Sequence, residues 1–254
     1  MGHIKSKKIK PLKITPPTKP VHPWRVCPYG EHQVVTHPLH VPPSKKNPDG
    51  VTTRHWHCAK NPSRKDQLYP GEIEEIANQN FSKLKNKPCP LPLKFGGNGS
   101  NFDDFIAGWT QYWNDIFKPS EPLDPNFVKA LIASESSFNP KKIADPQNSN
   151  SARGLTQITN KTRKILDNRK GELKDHYITV TKEELNDPNT NICAGIRWLF
   201  QKKDLTTSKL GHEASWLETI YNYKGASKAP PERAEEIMRR FNGYYEDYKK
   251  CGKK

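Results

Sequence analysis

The chain has 254 residues, a formal net charge of +15, 23 prolines and 5 cysteines. This length suffices for one sizeable domain and a smaller one. We expect no membrane-spanning helix, because no run of about 18 apolar residues occurs, and the first 20 residues lack the apolar core of a secretory signal peptide.

Most of the positive charge lies in the N-terminal part. Residues 1–98 carry 17 Lys and Arg against 6 Asp and Glu, together with 15 of the prolines. We therefore predict a basic flexible arm at 1–20, a small Pro-rich module at 21–98 and a larger domain at 99–254. A basic surface attracts polyanions, including nucleic acids and the anionic polymers of a cell envelope. No nucleic-acid-reading motif is recognisable, which disfavours a specific nucleic-acid partner.

The module at 21–98 contains Cys and His residues, turn residues and valines spaced as in short strands. Cys27, His55, His57 and Cys58 could bind a structural Zn²⁺, because strand alternation would place the two histidines on one face. A Cys27–Cys58 disulfide would instead stabilise a module that has little core. Free thiols are the third alternative, and the spacing does not choose among the three.

The other three cysteines lie outside this cluster. Cys193 falls on an apolar helical stripe, which predicts a small core residue. Cys89 and Cys251 have no assignable partner, and the odd total leaves at least one thiol unpaired within the chain. The Gly-rich segment at 95–100 is typical of a linker and marks the predicted boundary between the module and the domain.

Beyond residue 100 apolar residues recur at helical spacing, and no convincing strand pattern occurs. The first predicted helix follows Asn101 and is rich in aromatic residues, whose spacing indicates core packing. Further helices are predicted to begin near residues 125, 155, 188, 216 and 231. The sequence therefore predicts a mainly α domain, preceded by the small module of short strands.

Glu135 lies on the apolar face of the helix that begins near residue 125. Asp124 can cap this helix and Pro125 suits its first turn. Glu135 follows Leu131 and Ile132 on the apolar stripe, so its carboxyl group should face the protein rather than open water. Burial favours the protonated form of a carboxyl group, which is what a general acid needs to protonate a glycosidic oxygen.

Four sequence motifs carry a resemblance to a known family. These are ESSFNP at 135–140, SARGLTQ at 151–157, DPNTNICAGIRWL at 187–199 and YNYKG at 221–225. Together and in this order they resemble lytic transglycosylases of the soluble type, which are relatives of goose-type lysozymes. The resemblance covers about residues 100–245 and implies a lysozyme-like catalytic domain. The last motif departs from the family pattern by one extra residue before its glycine.

The resemblance implies that Glu135 is the single catalytic residue, acting as general acid and then as general base. It protonates the bond between N-acetylmuramic acid and N-acetylglucosamine in peptidoglycan, and the muramoyl 6-hydroxyl then closes a 1,6-anhydro ring. Ser136, Gln157, Tyr221 and Asn222 are the implied substrate-binding residues. The family needs no cofactor for this chemistry.

Two alternative functions stay open at this point. If water reaches the same sugar carbon, the enzyme is a hydrolytic muramidase, with Asp145 or Asp175 as candidates to position the water. A cell-wall-binding protein that lacks catalysis is the other alternative. We expect the chain to act on the cell wall outside the cytoplasm, with its basic module on anionic envelope polymers, after release by lysis, a phage or a specialised secretion system.

Overall fold

A computed structural model describes residues 22–251, and the predicted arm at 1–20 lies outside the described residues. The predictions of a mainly α domain and of short strands before it are confirmed. No helix within the described range is long and apolar enough to cross a membrane. The α-helices are α1 (Pro70–Asn80), α2 (Asp103–Phe117), α3 (Pro125–Ser136), α4 (Asn160–Asp167), α5 (Pro188–Leu210), α6 (Trp216–Tyr223) and α7 (Pro231–Lys249).

The strands are β1 (Glu31–Val34), β2 (His37–His40), β3 (Val51–Arg54), β4 (His57–Lys60), β5 (Gln67–Leu68), β6 (Ala152–Arg153), β7 (Ile158–Thr159) and β8 (Tyr177–Ile178). Within residues 22–251 they form four two-stranded sheets. In the N-terminal module β1 pairs with β4 and β2 pairs with β3, both antiparallel, with Glu31 opposite Lys60 and His40 opposite Val51. Within the helical region β6 and β7 form a short hairpin, and β5 of the N-terminal segment pairs in parallel with β8.

The Cys27–Cys58 pair is a disulfide, which decides among the three alternatives for the module. The zinc prediction is corrected, because disulfide-bonded sulfurs are not available as thiolate ligands. His55 is exposed, and the ring of His57 contacts the His55 backbone carbonyl at 2.9 Å. Between residues 22 and 251, no group of three or more His, Cys, Asp or Glu side chains is placed to hold a metal ion.

A second disulfide joins Cys89 to Cys251, two residues for which the sequence offered no partner. It links the segment before α2 to the end of α7, across 162 residues of sequence. Cys193 is unpaired and fully buried in α5, so the prediction of a core residue is confirmed.

The N-terminal segment packs directly on the helical region. Strand β5 pairs with β8, so that Gln67 lies opposite Tyr177, and Trp24 belongs to the same hydrophobic core as α2 and α5. The Trp24 indole also donates a hydrogen bond of 3.0 Å to Asp115 in α2. The predicted division into parts at 1–20, 21–98 and 99–254 stays a prediction.

Helices α2 and α5 form the centre of the core. Trp109 and Trp113 of α2 are fully buried, as their spacing predicted. Their indole groups donate to Asn189 at 2.7 Å and to the Cys193 carbonyl at 3.1 Å, both in α5. These bonds satisfy the polar atoms of two buried tryptophans and fix α5 against α2.

The predicted helix near residue 155 begins later than expected. Gly154 and Gln157 have positive φ angles of 74° and 54°, so the segment between them is a turn, and α4 begins at Asn160. Thr159 caps α4 by accepting a hydrogen bond from the Thr162 backbone. The sequence signal failed here because the apolar residues of a buried turn imitate a helical stripe.

A buried polar cluster connects the N-terminal segment to the strand β8 region. The Asp66 carboxylate accepts from Arg25 and lies 3.5 Å from a ring nitrogen of His22 and 3.3 Å from one of His176. Burial, reinforced by Arg25, lowers the pKa of His22 to about 3. Burial also lowers the pKa of His176 to about 4, despite the opposing effect of Asp175.

These histidines should make the protein less stable in mild acid. The unfolded chain takes up a proton on each histidine near pH 6.5, whereas the folded chain does so only near pH 3 to 4. The contribution of each is therefore complete above about pH 6.5 and is lost as the pH falls. Between pH 8 and pH 5 the wild type should lose about 2 kcal/mol more unfolding free energy than the His176→Asn variant. Urea unfolding of both proteins at the two pH values measures this, and equal losses would contradict it.

Candidate active site

Glu135 lies in the last turn of α3, where the helix ends against the loop that follows. Asp124 caps the other end by accepting a 2.8 Å hydrogen bond from the Asn126 backbone. After Ser136 the chain leaves the helix through Ser137 and Phe138, whose φ angles are 54° and 61°. The Glu135 side chain is 19% exposed, which makes it partly enclosed but accessible to a ligand.

The carboxylate of Glu135 is held by a lysine. The Lys224 ammonium contacts Glu135 Oε1 and donates to the Ser134 hydroxyl at 3.0 Å. The Lys224 side chain is only 6% exposed, so this ion pair is shielded from water on the lysine side. Lys142 donates to the backbone carbonyl of Glu135 at 2.6 Å. The Lys224 ammonium is therefore the cation in direct contact with the candidate acid.

A cavity of about 180 Å³ opens beside this ion pair. Helix α7 forms one wall, and the end of α3 with the turn after α6 forms the other. The wall residues are mostly charged, with three cations and two carboxylates among them. The cavity is lined by Ser134, Glu135, Lys224, Arg233, Glu236, Ile237 and Arg240.

Tyr221 and Asn222, the predicted substrate-binding residues of α6, lie away from this cavity. Both line a separate, mainly apolar groove together with Met238, and Tyr221 is 38% exposed there. The Asn222 amide donates to the Thr206 hydroxyl at 3.0 Å. The structure therefore does not bring these two residues to Glu135.

Tyr223 is a tyrosine close enough to Glu135 to interact with it electrostatically. Its hydroxyl donates to the Thr156 carbonyl at 2.8 Å, which ties α6 to the second sequence motif. Burial raises the pKa of Tyr223, and the negative charge of Glu135 raises it further. In the motif at 221–225, Tyr223 and Lys224 stand where the family pattern has a single residue before the glycine. The extra residue before Gly225 was thus the sequence signal for both.

Gln157 and Ser136 make hydrogen bonds within the backbone framework. The Gln157 amide donates to the carbonyls of Gly154 at 2.8 Å and Lys142 at 3.3 Å. The buried Ser136 hydroxyl donates to the Ile132 carbonyl at 3.1 Å. Ser134, rather than Ser136, is the serine on the cavity wall.

Asn191 of α5 holds the motif at 151–157 against the motif at 187–199. The Asn191 amide donates to the carbonyls of Arg153 at 3.1 Å and Leu185 at 2.8 Å. Its oxygen accepts from the Thr156 backbone at 2.8 Å. These bonds hold the turn at Gly154 against α5 and thereby fix the carbonyl to which Tyr223 bonds.

The two aspartates considered for water activation do not line the cavity. Asp145 is exposed and accepts from the Gln147 backbone at 3.0 Å. Asp175 accepts from Tyr29 and from the Asp66 backbone, within the polar cluster of the N-terminal segment. The second carboxylate on the cavity wall is Glu236, which forms a 2.6 Å ion pair with Arg233.

Comparison with known proteins gives a family match over the segment that contains this site. Residues 117–229 match the family model described as the transglycosylase SLT domain. The matched range includes Glu135, the turn at Gly154, α5, Tyr223 and Lys224. No curated protein matches the chain.

Among solved structures, a match is found to the 70 kDa soluble lytic transglycosylase SLT70 from Escherichia coli. The sequence identity is 19% and the TM-score is 0.31, over 68% of this chain and 27% of that protein. The chain thus spans about a quarter of the length of that protein.

Proposed function

Residues 117–229 form a transglycosylase SLT domain, and from this premise we propose that the chain cleaves the glycan strands of peptidoglycan with Glu135 as its general acid and base. The observation that carries the proposal is the position of Glu135. Within the matched range it ends a capped helix, is partly enclosed, and borders an open cavity. Carboxyl groups in such a setting are suited to proton transfer with a bound ligand.

In the proposed reaction Glu135 gives its proton to the glycosidic oxygen between N-acetylmuramic acid and N-acetylglucosamine. The bond from the muramoyl C1 to that oxygen breaks, and the N-acetylglucosamine side leaves as an alcohol. The Glu135 carboxylate then takes the proton of the muramoyl 6-hydroxyl, whose oxygen bonds to C1 and closes the 1,6-anhydro ring. The intramolecular hydroxyl competes well with water because its effective concentration is high.

We propose that Tyr223 has the role that the motif resemblance assigned to Tyr221. The Tyr223 hydroxyl bonds to Thr156 and lies close enough to Glu135 for the two to interact electrostatically. Removing this hydroxyl should leave the Thr156 carbonyl unpaired and loosen the wall beside the acid.

We expect Tyr223→Phe to lower the rate of muropeptide release by about tenfold to a hundredfold, as for the loss of one buried hydrogen bond beside a reacting group. Tyr221→Phe removes the same atom two residues away, from an exposed side chain, and should change the rate by less than about twofold. Initial rates on purified peptidoglycan compare the two variants. A larger loss with Tyr221→Phe would restore the assignment made from the motif.

Hydrolysis is the second candidate, and Glu236 is the observation that favours it. A hydrolytic glycosidase needs a second carboxylate, and Glu236 lines the same cavity as Glu135. A base that activates water could be supplied by this carboxylate, which is paired with Arg233 in the structure. We favour the anhydro product, because the family match is to transglycosylases.

The two products are distinguished by digesting purified peptidoglycan in water enriched in ¹⁸O. The proposal predicts soluble muropeptides that are one water lighter than hydrolytic products and carry no ¹⁸O at the new end. Hydrated ends that contain ¹⁸O would identify a muramidase that uses the same Glu135. If no soluble fragment appears, both candidates fail.

The setting outside the cytoplasm is part of the same proposal. Peptidoglycan lies outside the cytoplasm, and the Cys27–Cys58 and Cys89–Cys251 disulfides suit an oxidising compartment. The excess of basic residues at 1–98 would favour contact with anionic envelope polymers.

A further inference from the structure

The ion pair between Lys224 and Glu135 conflicts with the first step of the proposed reaction. A general acid must carry a proton when the leaving oxygen departs. The shielded ammonium of Lys224 contacts Glu135 Oε1 instead, and it has no other acidic partner among the described residues. Lys224 must therefore leave Glu135 Oε1 for another partner before that oxygen can face the glycosidic oxygen.

The charges on the cavity wall leave room for a replacement anion. The wall carries three cations and two carboxylates. Lys224 is paired with Glu135, and Arg233 is paired with Glu236. Arg240 lines the cavity without any acidic partner in the range 22–251. A guanidinium group matches a carboxylate in shape and can bind it through two parallel hydrogen bonds.

The size of the cavity limits what it can accept. Its volume of about 180 Å³ is below the range of about 300–1,000 Å³ typical of sites that enclose a whole small molecule. It is large enough for a carboxylate group, since a water molecule occupies about 30 Å³. The anion should therefore be a carboxylate on a side branch of a larger ligand that lies outside the cavity.

We propose that this cavity binds a carboxylate carried by the muramoyl unit of the substrate, and that this carboxylate takes Lys224 away from Glu135. The inference rests on the proposed function. Arg240 binds the incoming carboxylate, Lys224 becomes its second partner, and Glu135 Oε1 is released to face the glycosidic oxygen. Lys224 is a positioning residue in this scheme. The resting ion pair would then suppress cleavage of glycans that lack carboxylates.

The test compares glycan strands with and without carboxylates. Peptide-free strands, which carry lactyl carboxylates, and peptide-bearing strands are each used intact and after conversion of their carboxylates to primary amides. The wild type should lose about tenfold in kcat/KM on amidated strands, the size expected for one partly screened charge-assisted hydrogen bond. A loss on the peptide-free strands identifies the lactyl group, and a loss only on peptide-bearing strands identifies the stem peptide.

Arg240→Gln and Arg239→Gln form a matched pair on α7. Arg239 is exposed and does not line the cavity. We expect Arg240→Gln to lose about tenfold in kcat/KM on intact strands and nothing further on amidated ones, because both changes remove the same contact. Arg239→Gln should behave like the wild type on both. Losses that add, or equal behaviour of the two variants, would overturn the inference.

Lys224→Met tests the exchange itself. Without the ammonium, Glu135 no longer needs a carboxylate to release it, so this variant should lose most of the preference for intact strands and keep only the part that the Arg240 contact contributes. Thermal unfolding checks that the variant is folded. If Lys224→Met keeps the tenfold preference for intact strands, the exchange is wrong. If the wild type cleaves both kinds of strand equally well, the inference fails while the proposed function stands. No cleavage of any strand contradicts the proposed function.

Discussion

Replacing Glu135 with glutamine should slow the release of soluble muropeptides by at least about a thousandfold, which corresponds to about 4 kcal/mol in the activation barrier. Glutamine has nearly the same shape as glutamate, but its amide neither gives a proton to the glycosidic oxygen nor takes one from the muramoyl hydroxyl. The described cavity wall contains only one other carboxylate, Glu236, and it is paired with Arg233. We therefore expect no efficient substitute for Glu135.

The control for this variant is Glu232→Gln, which removes the same charge from the exposed first turn of α7, outside the cavity. It should release muropeptides within about twofold of the wild-type rate. Thermal unfolding of both variants checks that neither has lost its fold. If Glu135→Gln is folded and retains more than a tenth of the wild-type rate, proton transfer by Glu135 is not needed.

Replacing Gly154 with alanine should destabilise the fold by about 2 to 4 kcal/mol. Its φ angle of 74° is unfavourable for a residue with a side chain, at a cost of about 1 kcal/mol or more. A Cβ atom would also lie 2.1 Å from the Asn191 amide nitrogen and 2.4 Å from the Leu185 carbonyl oxygen. Relieving this overlap displaces either the turn or the Asn191 hydrogen bonds, which adds about 1 to 3 kcal/mol.

Gly211→Ala separates the two causes. Gly211 has the same φ angle of 74°, but a Cβ atom there would meet nothing within 4 Å. This variant should therefore lose only the backbone term, about 1 kcal/mol. Urea unfolding of both variants gives the difference. Equal losses would show that the contact of Gly154 with Asn191 and Leu185 does not constrain the second motif.

The sequence predicted the helix that carries Glu135 because its signals are local. Asp124 and Pro125 mark the start, and the apolar stripe that runs to Ile132 sets the face on which Glu135 lies. The structure has each of these features in the expected place. The role of Glu135 stays a proposal, since a helix position does not report proton transfer.

The partner of Glu135 could not be predicted, because Lys224 is 89 residues away in sequence. The motif at 221–225 pointed to Tyr221 and Asn222, whereas the structure has Tyr223 and Lys224 at Glu135. These two residues stand two positions further along the chain, which corresponds to a rotation of about 200° around the helix axis, since a helix has 3.6 residues per turn. Such a shift changes which side chains face the cavity, and only the packing of α6 against its neighbours shows it.

The cysteine pairings show the same limit. Four cysteines can pair in three ways, and spacing does not choose among them. A Cys27–Cys58 disulfide was one prediction for the module, beside a zinc site and free thiols. For Cys89 and Cys251 no partner was predicted. The latter pair depends on where α7 ends relative to the segment before α2. That position is a consequence of the whole fold.

The most direct test of the central claim is a crystal structure of the Glu135→Gln variant with a peptidoglycan fragment of four sugars. The glycosidic oxygen between N-acetylmuramic acid and N-acetylglucosamine should lie about 3 Å from the side-chain amide of residue 135. Tyr223, and not Tyr221, should lie on the same side of the bound sugar. A fragment bound away from residue 135, or a glycosidic oxygen that faces another carboxyl group, would contradict the account.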